Sequence, residues 1–215
     1  NSPDLVYLRC QNNNNLETID ISNSSDLYEL WTYSCNLSSL DVTNNPSLWR
    51  LECYDNELTE LDLSNNTELY HLHAYDNNLS SLDLTTNTDL HFVYIYDNNL
   101  LELDVSTLPE LRELRCWNNN IDGLDLSVNY ELEKLYCYDN IVLSSLILPD
   151  PNPNTTGNPV INNDLWYIDC QNNIISELDI STNTGIRELY VQNNNLDCIQ
   201  VWDVNVASDA DYCGW

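Results

Sequence analysis

Leucine recurs in this chain at a spacing of 21 residues, and this spacing strongly restricts the folds available to it. The spacing matches neither the 3.6-residue period of a helix nor the alternation of one long strand. A fixed period of this length instead predicts stacked repeat units, nine in this chain. The units open at Leu5, Leu27, Leu48, Leu69, Leu90, Leu111, Leu132, Leu165 and Ile186, with a first step of 22 residues and a step of 33 before Leu165.

Each unit opens with the pattern of a short strand. In LWRLECYDNELTELDLSNNTE, residues 48–68, Leu51 and Cys53 alternate with Glu52 and Tyr54. One face of such a strand enters a core and the other meets solvent. A single unit cannot bury its leucines alone, but units stacked as a parallel ladder about 4.8 Å apart can. The pattern therefore predicts a solenoid with one strand per coil.

Asparagine occupies the position at which each predicted coil must turn. A turn inside a coil leaves backbone groups without partners, and a stack of amide side chains supplies donors and acceptors for them. Cys35 takes this position in the second unit. The asparagines in register are Asn13, Asn56, Asn77, Asn98, Asn119, Asn140, Asn173 and Asn194.

The phrase L-x-x-L-x-C-x-x-N-x-L-x-x-L-D-L-S-x-N resembles the leucine-rich repeat family, in its short 21-residue class, over essentially the whole chain. The resemblance implies a β-rich leucine-rich repeat solenoid. Its parallel β-sheet would form the concave face, with extended or turn segments on the convex side and little helix.

Two segments depart from the repeat. Residues 149–164 contain four prolines and predict a loop inserted between two coils; a loop folded over the ligand face is the alternative. Residues 197–215 resemble the C-terminal caps of secreted leucine-rich proteins from Bacteroidetes-type bacteria, which implies a disulfide between Cys198 and Cys213. We expect one domain, residues 1–215, with its repeats at 5–196. Residues 1–4 lead directly into the first coil, so we expect more repeats or another domain before it.

Five other cysteines share one inward repeat position, which Ala74, Ile95 and Val191 fill elsewhere. A cysteine interchangeable with alanine and valine acts as a small buried apolar side chain. No C-x-x-C spacing occurs, so zinc is not expected, and no cofactor is predicted. The five are Cys10, Cys53, Cys116, Cys137 and Cys170.

The charge of the chain disfavours polyanionic partners. It has 35 acidic and 6 basic residues, a formal net charge of −29. General electrostatic attraction to nucleic acid or an anionic membrane is therefore disfavoured. No apolar run approaches the roughly 20 residues of a membrane span. We expect neither a nucleic acid partner nor membrane insertion.

Aromatic and basic residues concentrate at the outward positions of the predicted strands, which are the second, third, fifth and seventh residues of each unit. These 36 positions hold 17 of the 21 aromatic residues and all six basic residues. Cross-strand pairs that stabilise the sheet, such as Glu113 with Lys134 and Arg112 with Glu133, account for part of this enrichment. Exposed aromatic patches usually mark an interface. The predicted ligand-binding residues are Tyr54, Tyr75, Phe92, Tyr94, Tyr96, Arg115, Trp117, Tyr136 and Tyr138.

Acidic and histidine side chains near these columns have competing interpretations. Asp55, Asp76, Asp97 and Asp139 follow the aromatic seventh position, either as turn residues that bond nearby backbone or as calcium ligands between coils. His71, His73 and Glu52 form either a metal site or a surface cluster that interacts with adjacent aromatic rings. No nucleophile with its base, phosphate-binding glycine loop or pair of catalytic carboxylates is found, so an enzyme is not expected.

The sequence favours an extracellular or cell-surface recognition module, part of a larger chain, whose concave aromatic face binds a protein. The alternative is a neutral polysaccharide, because aromatic faces pack on sugar rings and coils about 5 Å apart are commensurate with a sugar chain. A structural spacer is the third interpretation. Fold alone does not decide among them.

Overall fold

The computed structural model describes residues 2–149 and 164–201, and they form a solenoid of stacked coils. Each strand is three residues long. The strands are β1 Tyr7–Arg9, β2 Glu29–Trp31, β3 Arg50–Glu52, β4 His71–His73, β5 Phe92–Tyr94, β6 Glu113–Arg115, β7 Gly123–Asp125, β8 Lys134–Tyr136, β9 Ser145–Ile147, β10 Tyr167–Asp169, β11 Glu177–Asp179, β12 Glu188–Tyr190 and β13 Cys198–Gln200. No helix occurs in the described ranges, so none there could span a membrane.

Nine of the strands form one parallel sheet, here called the main sheet. Its order is β1-β2-β3-β4-β5-β6-β8-β10-β12. Residues at the same repeat position face each other, as in the pairing of Leu51 with Leu72 and of Leu72 with Val93. The remaining strands make two short parallel pairs, β7–β9 and β11–β13, in the second half of their coils. The parallel leucine-rich solenoid predicted from the repeat is confirmed.

The leucines of successive coils build one continuous core. Leu51, Leu72 and Leu114, at the middle of their strands, are fully buried. Cys53, Cys116, Cys137 and Cys170 are also buried, and burial raises the pKa of each of these thiols. Their reactive thiolate form is therefore disfavoured, as expected for cysteines that act as small apolar side chains.

Two columns of stacked asparagine side chains, here called the asparagine ladders, hydrogen-bond to backbone groups where the coils turn. In the first, Asn98 Nδ2 donates to the carbonyls of Ala74, Ile95 and Tyr96, and its Oδ1 accepts from the Leu79 N–H. The second ladder lies in the other half of the coils, where each Nδ2 donates to carbonyls of the preceding coil. Its members are Asn45, Asn66, Asn87, Asn129 and Asn183.

The long step from Leu132 to Leu165 does not consist only of an inserted loop. The coil that opens at Leu132 contains one additional residue in a turn at 141–142. Its inward leucines, Leu143, Leu146 and Leu148, each come one residue later than in the other coils. The added turn leaves Ile141 68% exposed and Val142 40% exposed. The predicted loop at 149–164 and the cap at 197–215 lie largely outside the described residues, so they stay predictions.

Candidate functional site

The outward side chains of the main sheet form one continuous surface, here called the ring face. It comprises the second, third, fifth and seventh positions of each coil, counted from the opening leucine. In β4 and β5 only the middle residue is buried, while the flanking residues are half-buried. The alternation predicted from the sequence is therefore present.

The seventh position carries a ladder of six stacked aromatic rings. Neighbouring planes are inclined by 13° at most. In-register parallel strands bring equivalent side chains to about 4.8 Å, which is close to the contact distance of stacked rings. Each internal ring consequently has both faces covered and presents its edge outward. The centroid distances are Tyr33–Tyr54 4.3 Å, Tyr54–Tyr75 4.2 Å, Tyr75–Tyr96 4.1 Å, Tyr96–Trp117 3.7 Å and Trp117–Tyr138 5.1 Å.

All nine residues predicted to bind a ligand lie on the ring face and are half-buried. Five of them belong to the ladder, namely Tyr54, Tyr75, Tyr96, Trp117 and Tyr138. The other four, Phe92, Tyr94, Arg115 and Tyr136, occupy its third and fifth positions. The fold thus brings them to one surface, and their binding role stays a prediction. Cys198 begins β13, but Cys213 lies outside the described residues, so the Cys198–Cys213 pairing also stays a prediction.

Two adjacent coils carry a ring at every outward position, and these eight residues are here called the ring centre. They pair across the strands in four stacks: Tyr70–His91 at 3.9 Å, His71–Phe92 at 4.7 Å, His73–Tyr94 at 4.4 Å and Tyr75–Tyr96 at 4.1 Å. The sequence prediction left out Tyr70, His71, His73 and His91 as ligand-binding residues. These four residues occupy outward repeat positions on the same two coils as the predicted residues of the ring centre, and their positions in the repeat could have identified them.

Two of the histidines are uncharged at neutral pH. Burial, followed by the nearby Arg50 charge, lowers the pKa of His71 to about 4 and that of His73 to about 3. Neutral imidazoles stack on aromatic rings without the cost of desolvating a charge. No group of three or more metal-ligating side chains is found in residues 2–149 and 164–201. The arrangement favours the interpretation of the histidines as stacking partners of the aromatic rings.

Ion pairs lie on both sides of the ring centre. On one side Arg50 Nε donates to Glu52 at 2.8 Å, and on the other Arg115 Nε donates to Glu113 at 2.6 Å. Lys134 reaches Glu113 at 3.6 Å, and Arg112 reaches Glu133 at 3.6 Å. These last two contacts confirm the predicted cross-strand pairs. Together with Arg9–Glu29, five of the six basic residues of the chain pair with carboxylates of the ring face.

The guanidinium of Arg115 also packs against the aromatic rings. It lies 4.4 Å from the centroid of Tyr94 and 5.0 Å from that of Tyr136. A guanidinium over a ring face is stabilised by about 0.5–1 kcal/mol at an exposed site and by more when it is desolvated. Arg115 therefore helps to orient the rings of Tyr94 and Tyr136, both of which are predicted to bind a ligand.

The acidic residues after the ladder support turns. Asp55, Asp76 and Asp97 have φ angles of 53°, 55° and 51°, in the left-handed region that aspartate and asparagine tolerate better than most residues. Asn118 has a φ of 49° at the same position and donates to Asp97. Burial, and after it the charges of Asp55 and Asp97, raise the pKa of Asp76. The turn interpretation explains why asparagine replaces aspartate at this position in other coils, such as Asn118 and Asn172.

Stability is expected to fall as the pH drops from about 6.5 to 4. The unfolded histidines bind protons near their ordinary pKa, whereas His71 and His73 in the folded chain stay neutral down to pH values of about 4 and 3. The unfolded state thus holds more protons in this window, which lowers the free energy of unfolding. Urea unfolding at several pH values measures how the free energy of unfolding changes with pH. The variant H71F/H73F retains the ring stacks and should reduce this pH dependence. An unchanged pH dependence would contradict the lowered pKa values of the two histidines.

Comparison with solved structures gives the same fold repeatedly. The functional domain of InlJ from Listeria monocytogenes, described as including a cysteine ladder, matches with a TM-score of 0.70 and 33% identity over 90% of this chain and 45% of that one. The leucine-rich effector YopM from Yersinia pestis matches with a TM-score of 0.62 and 23% identity, over 93% of this chain and 66% of that one. The Leptospira interrogans leucine-rich repeat protein LIC12759 has a TM-score of 0.61 and 21% identity, over 84% and 47%.

The matched solved proteins are longer than this chain. No family model and no curated protein sequence matches the chain. The chain spans between 45% and 66% of the length of the three solved proteins. The identities of 21% and 23% concern the fold alone. Taken with the parallel main sheet and its repeat register, the comparisons show that the chain has the leucine-rich repeat fold.

Proposed function

We propose that the chain is a non-catalytic recognition module that binds a protein through the ring face, with the ring centre as the principal contact. The observation that carries this proposal is the composition of the ring centre. All eight outward side chains of two adjacent coils are aromatic or imidazole rings, and none is a lysine, arginine, aspartate or glutamate. Binding hot spots are rich in tyrosine and tryptophan and lie centrally, surrounded by residues that exclude water.

The ion pairs beside the ring centre fit such a surface. Glu52 and Glu113 are 6% and 7% exposed, and each has an arginine partner, so neither is left as an unpaired buried charge. Because these pairs form within the chain, they leave the ring face electrically balanced without a ligand. A protein partner with a largely apolar contact patch suits this balance.

The stacking geometry favours protein over polysaccharide. A sugar ring packs on an open aromatic face, but both faces of Tyr54, Tyr75 and Tyr96 are covered by neighbouring rings. What remains accessible is a row of ring edges and hydroxyl groups, which can contact apolar side chains and accept or donate hydrogen bonds. A neutral polysaccharide is thus the weaker of the two proposals. An extracellular or cell-surface setting is part of the same proposal.

A photo-crosslinking experiment tests the placement of the binding surface. A photoreactive phenylalanine analogue replaces Tyr94 at the ring centre, and in a second variant it replaces Glu60, an exposed residue in the second half of a coil. We expect a specific protein from the native host to be captured through position 94 and not through position 60. Capture that is equal at both positions, or that persists when Phe92 and Tyr96 are changed to serine, would exclude the ring centre as the binding surface.

A further inference from the structure

Charge is distributed very unevenly between the ring face and the rest of the chain. The 36 ring-face positions hold all six basic residues and six acidic ones, so their formal charges cancel. The other positions hold the remaining 29 acidic residues and no basic residue. The ring face is therefore a neutral strip on an otherwise acidic protein.

Two acidic columns border this strip. The entry column consists of the residue before each opening leucine, and seven of its nine members are acidic; the exit column follows the ring ladder, and four of its nine are acidic. At the ring centre the entry column contributes Glu68 and Asp89, and the exit column contributes Asp76 and Asp97. Within residues 2–149 and 164–201 no basic side chain pairs with any of these four carboxylates.

The strip has room for one helix along its length. Five residue steps separate the second and seventh positions, which is roughly 17 Å of extended chain, whereas a helix with its side chains is about 10–12 Å wide. The six coils that carry the ring ladder extend for about 24 Å at a coil spacing of about 4.8 Å. A helix of about 16 residues has the same length at 1.5 Å per residue.

We propose that the partner presents a basic amphipathic helix, which lies along the solenoid axis on the ring centre. Its apolar row packs on the ring edges, and lysine or arginine on either side of that row reaches the entry and exit columns. This proposal rests on the proposed function and specifies the partner. A second copy of the chain does not fit, because its ring face is bordered by the same acidic columns and each copy carries a formal charge of −29. The acidic surroundings also steer a cationic partner during encounter.

Synthetic peptides test the chemistry directly. The probe is a Leu–Lys peptide of about 18 residues with leucine at helical spacing and lysine on both sides of the leucine row, measured by calorimetric titration. The controls are a scrambled peptide of the same composition, oligolysine of the same charge, and a Leu–Glu peptide. We expect the Leu–Lys peptide to bind at least about tenfold more tightly than any control, with an affinity that falls as salt rises. Equal binding of oligolysine or of the scrambled peptide would overturn the proposal.

Matched variants of the chain locate the contact. D76N/D97N removes two charges from the exit column, and asparagine already occupies this left-handed position at Asn118 and Asn172. E68Q/D89N does the same at the entry column, and E60Q/E102Q removes two exposed charges elsewhere. Each column variant should weaken Leu–Lys binding by about three- to tenfold, and E60Q/E102Q by less than about twofold.

Equal losses in all three variants would show general attraction to an acidic protein and overturn the proposal. The proposed function can hold even where the basic-helix proposal fails. A native partner crosslinked at position 94 that contacts the ring centre without a basic helix would retain the function and reject this class of partner.

Discussion

Replacement of Asn98 by leucine is expected to lower the free energy of unfolding by about 2–4 kcal/mol. The two side chains have similar volumes, so the substitution removes hydrogen bonds with little change in packing. Asn98 Nδ2 donates to three carbonyls in two coils, and Oδ1 accepts from the Leu79 N–H in the preceding coil. Leucine leaves the buried Leu79 N–H without its acceptor, and an unpaired buried donor alone costs about 1–3 kcal/mol.

The neighbouring residue supplies the control for this prediction. Asn99 is exposed and lies outside the ladder, so N99L should change the unfolding free energy by less than about 0.5 kcal/mol. Urea unfolding compares the two variants. Because each coil contacts only its neighbours, hydrogen exchange of N98L should also show reduced protection in the adjacent coils and little change at the ends. Equal unfolding midpoints for N98L and N99L would contradict the structural role of the ladder.

Changing Phe92 and Tyr94 together to serine should weaken binding of the native partner by about 100-fold or more. Both side chains lie at the middle of the ring centre, where Phe92 stacks on His71 and Tyr94 stacks on His73. Each loss removes apolar contact area and also the ring that orients its stacking partner. Hot-spot residues of this kind typically contribute at least about 2 kcal/mol each. Surface plasmon resonance with the partner identified by photo-crosslinking measures the change in affinity.

Two exposed tyrosines at the ends of the same sheet provide the matched control. Tyr7 in β1 is 57% exposed and Tyr190 in β12 is 36% exposed. The variant Y7S/Y190S removes two aromatic side chains from the ring face but leaves the ring centre intact, so its affinity should stay within about threefold of the parent. Circular dichroism and thermal unfolding establish that both double variants remain folded. Equal affinities for the two double variants would place the contact elsewhere.

The features that could be predicted from sequence are those that repeat at a fixed position. One leucine pattern specifies the core of every coil, and asparagine at one position specifies the first ladder. Because adjacent strands are in register, residues 21 apart are neighbours, which is why the pairs Glu113–Lys134 and Arg112–Glu133 could be predicted. The same reasoning placed all nine predicted ligand-binding residues on one surface.

The features that sequence could not supply depend on side-chain orientation and on local breaks in the period. Repeat spacing brings tyrosines close together but does not determine whether their rings stack or splay, so the covered faces of Tyr54 and Tyr75 had no sequence signal. The added turn at 141–142 was hidden because Val142 and Leu143 are both apolar, and either satisfies the leucine pattern. The lowered pKa values of His71 and His73 depend on burial, which a composition count does not measure.

The ring ladder has an optical consequence. Phenol groups emit at wavelengths that indole absorbs, and Trp117 is in contact with Tyr96 on one side and Tyr138 on the other. Excitation of the stacked tyrosines can pass from ring to ring and emerge as emission from Trp117, or from Trp31, which lies 6.5 Å from Tyr33 at the other end of the ladder. Tryptophan emission after tyrosine excitation therefore depends in part on whether the rings of the ladder are stacked, and a ligand bound on the ladder should change that emission.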